Sequence, residues 1–177
     1  MSYRKYLDDY RVEEYVDEKG RTKKRAIYVG GDYKLYPAIK TGNKRLILAL
    51  SILLWIPFVC ALFLESRATQ LFYTALPFIF TSVPIYLLAG ASISLVWHDE
   101  LMTREKADKI AVRLPMCSIT VAILSAVALI GLVITALFTS QEMLRGDLIF
   151  GAMSLINAAA ATLIFSKCRL IKATLAD

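Results

Sequence analysis

Apolar residues fall into four long blocks, at 46–64, 71–97, 114–138 and 148–166, separated by short polar connections. A hydrocarbon core about 30 Å thick takes roughly 20 apolar residues as helix, so each block predicts a transmembrane helix. The second and third blocks are longer than that and must tilt or project beyond the hydrocarbon. None shows the strict alternation that a membrane-barrel strand requires. The first begins only after residue 45, which does not fit a cleavable signal peptide. The predicted fold is an all-α membrane protein: four transmembrane helices in an antiparallel bundle, with a small cytoplasmic N-terminal β-hairpin. Residues 1–45 form the tail, 46–166 the transmembrane domain and 167–177 the C-terminal tail.

The tail has a different rhythm. Residues 12–17 are rich in β-formers, 18–21 contain Gly20, which takes positive φ readily, and 22–29 supply a returning strand. Gly30 and Gly31 then interrupt the chain. A turn centred on Lys19 and Gly20 sets Glu14 opposite Arg25. A lone two-stranded hairpin is marginal in water. It must rest on lipid, on the inner ends of the spans, on a third strand from Tyr33–Tyr36, or on a partner. Seven of the nine tyrosines lie in the first 36 residues, and a tyrosine offers an apolar ring with a wet hydroxyl. Tyr15, Val16, Ile27 and Tyr28 are the candidate docking residues. The other reading is a cap packed on the protein's own inner face.

Residues 98–113 predict a short amphipathic helix on the membrane surface. Its apolar edge is Ala107, Ile110, Ala111 and Leu114, it carries a Glu105–Lys109 pair, and it ends near Pro115.

Charge then sets orientation. Of the 21 Lys and Arg residues, 19 lie in the two tails and the 98–113 connection, and the other two connections hold one each. By the positive-inside rule both termini are cytoplasmic, most simply at the plasma membrane. The net charge of +6 suits an inner face against anionic lipid. No nucleic-acid-binding fold accompanies it. The chain is 57% hydrophobic with a mean hydropathy of +0.54, against about 45–50% apolar in soluble domains.

Within the blocks there is no Asp, Glu, Lys, Arg or His, which argues against a proton-coupled pump. Small residues at four-residue spacing predict close packing or partner contact. They are Ser82, Gly90 and Ser94 in the second block, with Tyr86 on the same line, and Ser154, Ala158, Thr162 and Ser166 in the fourth. Asn157 is the one amide in the spans and should turn inward and bond another helix. Pro57, Pro77 and Pro84 predict kinks. Trp55 should pack in the bundle or a partner groove. Cys60, Cys117 and Cys168 form no close pair, and Cys168, between Lys167 and Arg169, reads as an ordinary free thiol, with acceptance of a palmitoyl group as the alternative.

Chemistry is sparse. His98, Asp99 and Glu100 are a weak polar site candidate, since neighbouring helical positions point in different directions. There is no phosphate-cradling loop, zinc spacing or nucleophile elbow, so no catalytic residue, cofactor or metal is expected. The expected function is a non-catalytic membrane subunit or scaffold docking to a larger complex, through another membrane protein or a second copy. The alternative is a small oligomeric channel or uniporter for a neutral solute.

Overall fold

The computed structural model describes residues 3–17, 20–37, 39–66, 68–97, 101–138 and 145–176. It is mostly helical, with four helices long and apolar enough to cross a membrane: Thr41–Leu62, Phe72–Trp97, Arg104–Phe138 and Arg145–Cys168.

The first two are broken by proline. Helix α1 is Thr41–Leu53 and α2 is Trp55–Leu62, with the break at Leu54, three residues before Pro57. Helix α3 is Phe72–Phe80 and α4 is Ser82–Trp97, with the break at Thr81, three residues before Pro84. In both, the proline removes the N–H that the carbonyl four residues earlier would accept, and its ring crowds that carbonyl. At the second break the Phe78 carbonyl accepts both the Thr81 hydroxyl at 2.6 Å and the Thr81 N–H at 3.1 Å. Pro77 lies within α3 without a break.

The third long helix differs from the sequence expectation. Helix α5, Arg104–Phe138, runs unbroken through Pro115, so no separate surface helix ends there. Ala107, Ile110, Leu114, Cys117 and Val121 are all buried at three- and four-residue steps. One stripe therefore packs continuously across the proline, and packing overrides the local preference. Helix α6 is Arg145–Cys168.

The long helices form a ring in chain order, each touching the next, and α6 closes onto α1 and α2. Cross-contacts show the antiparallel sense. Ser51 and Ser92 share a buried hydrogen bond of 2.7 Å. A Cβ built on Gly131 would stand 2.6 Å from the Thr74 hydroxyl, and one on Gly151 would stand 2.8 Å from Leu132. The Ser66 hydroxyl donates to the buried Asp147 carboxylate at 2.6 Å. Phe58, Phe78 and Phe150 join three of the long helices in one aromatic row, with centroids 5.2 and 5.0 Å apart.

The β structure gathers at one end. Strands β1 (Tyr10–Val16) and β2 (Thr22–Tyr28) form the hairpin, preceded by a 3-10 helix, Tyr3–Asp9. Gly20 has φ +71°, the left-handed conformation that glycine adopts most readily. The register pairs Glu14 with Lys24 and Glu13 with Arg25, one residue from the sequence expectation. Strand β3 (Tyr33–Tyr36) does not extend the hairpin. It pairs antiparallel with β4 (Lys172–Leu175), so the segment before α1 is tied to the segment after α6. Tyr33 also exchanges backbone hydrogen bonds of 2.9 and 3.0 Å with Met102, between α4 and α5. Both tails and the connection between the second and third long helices therefore meet at one end of the bundle.

Candidate functional site

That end is built on the first turns of α5. Arg104 begins the helix, and its side chain and those of Glu105 and Asp108 meet the N-terminal segment. The Tyr6 hydroxyl donates to Asp108 Oδ2 at 3.0 Å, and Tyr6 is itself buried. The Tyr10 hydroxyl donates to Glu105 Oε2 at 3.4 Å. Tyr28 packs edge-on against Tyr10, with centroids 5.4 Å apart. Its hydroxyl accepts the Arg104 backbone N–H at 3.1 Å and donates to the Gly31 carbonyl at 2.8 Å. The Arg104 guanidinium lies 3.7 Å from the Asp9 carboxylate and 5.8 Å from the centre of the Tyr33 ring. The Asp9 carbonyl accepts the N–H groups of Val29 and Gly30, closing the base of the hairpin. Burial and the neighbouring Glu105 carboxylate push the Tyr10 phenol above its ordinary pKa of 10.0. Each neutral hydrogen bond contributes about 0.5–1.5 kcal/mol, and together they hold a ribbon that is marginal alone.

The far half of the hairpin is bare. Tyr15 is 46% exposed and Val16 68% exposed. Side chains alternate along each strand, so cross-strand partners share a face. Val12, Ala26, Glu14, Lys24 and Val16 lie on one face; Ile27, Glu13, Arg25, Tyr15 and Lys23 lie on the other. The four candidate docking residues therefore do not form one patch. Tyr15 and Ile27 share a face, Val16 is on the opposite one, and Tyr28 is engaged at the base. Charges pair along the ribbon, with Glu14 3.2 Å from Lys24 and Asp17 2.5 Å from Lys23.

The small-residue lines are largely outside the core. On α6 only Ser154 is buried, Ala158 is half-buried, and Thr162 and Ser166 are exposed. The buried line passes instead through Asn157, Ala161, Ile164 and Cys168. A four-residue step turns a helix through 400°, so such a line drifts 40° per step off a straight contact. On α4, Ser82 and Ser94 are half-buried, while Gly90 and Tyr86 face outward. Trp55 is half-buried, edge-on to Phe58 at 6.2 Å. Cys60 is exposed and Cys117 buried, and Cys168 is fully buried, so its thiol is not presented for acylation.

Asn157 turns inward as expected but is not glue. It has no exposed surface, and neither side-chain amide atom makes a hydrogen bond. The Leu132–Gly151 contact sets a register that brings Ser125 of α5 to nearly the height of Asn157, yet the Ser125 hydroxyl is also unpartnered. So are the buried hydroxyls of Thr74 and Ser154.

The polar candidate His98, Asp99 and Glu100 lies outside the described residues. Among the described residues no three potential metal ligands gather. Tyr6 and Tyr10 anchor the N-terminal segment on Asp108 and Glu105, a pairing that sequence reasoning did not predict. Their signal was the spacing of Tyr3, Tyr6 and Tyr10, which puts two tyrosines in the turn before the strand and one at its start. Comparison with protein-family models, curated proteins and solved structures finds no match.

Proposed function

We propose that the chain is a non-catalytic integral membrane subunit or scaffold whose hairpin docks to a larger membrane complex. Three features support the membrane part. Only 33–39% of the most apolar window of each long helix is buried within the bundle, so the apolar remainder faces outward. Soluble monomers rarely expose contiguous apolar surface beyond a few hundred Å². The Lys and Arg excess falls on the end that carries both termini, which the positive-inside rule assigns to the cytoplasm, with anionic lipid beside it. Helix α5, with 35 residues, is about 52 Å long against a hydrocarbon core of about 30 Å. Its first turns then stand clear of the hydrocarbon as a platform for the β ribbons.

The docking part rests on one observation: the hairpin is clamped at its base and bare over its distal half. A ribbon clamped at its base, with its described side chains exposed on both faces, presents strand edges and the Tyr15–Ile27 face to a partner at little ordering cost. The test is to replace residues 11–27 with a short Gly-Ser link, which keeps β3 in place. Tyr10 and Tyr28 are paired across the ribbon, so the link has only one strand spacing to bridge. After mild detergent extraction from native membranes, the intact chain should run as a defined hetero-complex and the shortened chain without its companion. Retention of the same companion by the shortened chain contradicts docking through the hairpin.

A second reading, an oligomeric channel for a neutral solute, is favoured by the unpartnered Thr74, Ser125, Ser154 and Asn157. An unsatisfied amide costs roughly 2–7 kcal/mol in apolar surroundings, and these groups offer donors and acceptors to a small polyol or water. Glycerol uptake by proteoliposomes, abolished by Asn157→Leu, supports this reading. Absence of uptake by the intact chain removes it.

A further inference from the structure

A small cavity lies between α4 and α5 just below the β platform. Gly90 and Ser94 of α4 face Lys106, Lys109 and Arg113 of α5, with the buried Ala91 and Ile110 on its inner side. Its volume is about 90 Å³. That is several times the roughly 30 Å³ share of one water and well below the roughly 300–1,000 Å³ of a drug-sized pocket. It has room for a small group and not for a drug-sized ligand. The three cations sit at steps of three and four along α5, so they share one helix face, and among the described residues no carboxylate lines the space. Lys109 keeps its neighbour Glu105 as an ion pair. A Cβ on Gly90 would meet nothing within 4 Å, so Gly90 borders open space at the mouth of the cavity. Around that mouth the bundle surface is apolar. Tyr86 and Ile93 are exposed one turn to either side of Gly90, and Val112 and Met116 are exposed beside Arg113.

We infer that this cavity is a binding site for the phosphate of an anionic phospholipid, with the acyl chains lying along the outer face of α4 and α5. Arg113 supplies the main charge recognition, with Lys106 and Lys109 adding positive potential beside it, and the flanking apolar side chains supply the contact with the tails. The apolar rim favours a lipid over a free phosphate, because a soluble anion gains nothing from Tyr86, Ile93, Val112 or Met116. This inference rests on the membrane reading above.

Trp97, one turn beyond Ser94 and 81% exposed, is the reporter. The full chain with Trp55→Phe is placed in vesicles containing either brominated phosphatidylcholine or brominated phosphatidylglycerol at equal mole fraction. Quenching of Trp97 should favour the brominated anionic lipid by about fivefold, the ratio that corresponds to one basic contact. Arg113→Gln should lower the ratio. Gly90→Leu should bring it close to one with all charges intact, since the new side chain enters open space and improves helix propensity. Lys44→Gln, a basic residue outside the cavity, should leave it unchanged. Equal quenching by both lipids in the intact chain overturns the site, as does a preference that survives Gly90→Leu. Loss of the preference on adding inorganic phosphate at constant ionic strength overturns the lipid assignment in favour of a soluble anion. The companion chain with Trp97→Phe keeps Trp55, in the middle of the first long helix. If brominated phosphatidylcholine quenches neither tryptophan, the membrane reading itself fails, and that outcome is distinct from failure of the site.

Discussion

Two antiparallel ribbons stand at the same end of the bundle, and they are held in opposite ways. The hairpin β1–β2 pairs residues close in sequence, has its turn at Gly20, and is fastened to α5 by side-chain hydroxyls at its base. The ribbon β3–β4 pairs residues nearly 140 positions apart and is fastened by burial: Tyr33, Leu35 and Ala173 pack against the core, and Ile171 just before β4 is buried. The hairpin is thus a local element with a free surface. The second ribbon is a non-local closure that holds the ends of the chain to the bundle. Removing the first should change what the protein touches, whereas loosening the second should change whether the end face forms.

The largest separation between the two comes from matched isoleucines. Ile171→Ala empties a buried position and should lower stability by about 2–5 kcal/mol, read as a drop in the thermal midpoint in detergent. Ile27→Ala, on an exposed hairpin face, should stay within about 0.5 kcal/mol. Equal effects would mean that the two ribbons form one unit.

A smaller effect should come from the clamp. Tyr6→Phe and Tyr28→Phe each remove a hydroxyl bonded to the first turns of α5, at Asp108 and at the Arg104 N–H, and should cost about 1 kcal/mol. Amide hydrogen exchange should speed up along β1 and β2 while β3 and β4 keep their protection. Uniform acceleration of both ribbons would contradict separate fastening.

The smallest effect is in pH. The Tyr10 phenol has a raised pKa in the folded chain, so the folded state favours its neutral form. Its contribution is fully present below the ordinary value of 10.0 and is lost as pH rises through the raised folded value. An ultraviolet difference titration of the intact chain against Tyr10→Phe should show a midpoint above 10.0. A midpoint at or below that value would mean that Tyr10 does not engage Glu105.

The same contrast explains what was legible in the sequence. The four long helices announce themselves as apolar blocks, and the breaks at Leu54 and Thr81 follow from Pro57 and Pro84 by local sterics. The hairpin was legible because its turn is local, although its register depends on where a five-residue loop centres. Pro115 misled, because burial of Ile110, Leu114 and Val121 on one stripe outweighs a proline's preference to start a helix. Strand β4 was not legible, since Lys172–Leu175 has no pattern of its own and its partner lies at the other end of the chain. The small-residue lines predicted contact faces, but four-residue spacing drifts around the helix, which leaves Thr162 and Gly90 outside the core. At Gly90 that exposure opens the basic cavity. The cations opposite it were visible in the sequence only as charges on an amphipathic connection.

The most direct test of the account is the sidedness of the end face in native membranes. Single cysteines are placed at Arg11 in the hairpin, Thr174 in β4 and Gln70 in the first connection, all exposed positions, with Cys60 replaced by Ala. An impermeant thiol reagent is then applied to right-side-out and to inverted vesicles. The account predicts that positions 11 and 174 react together from the cytoplasmic side only, and position 70 from the opposite side only. Labelling of 11 and 174 from opposite sides, or of 70 and 174 from the same side, would contradict it.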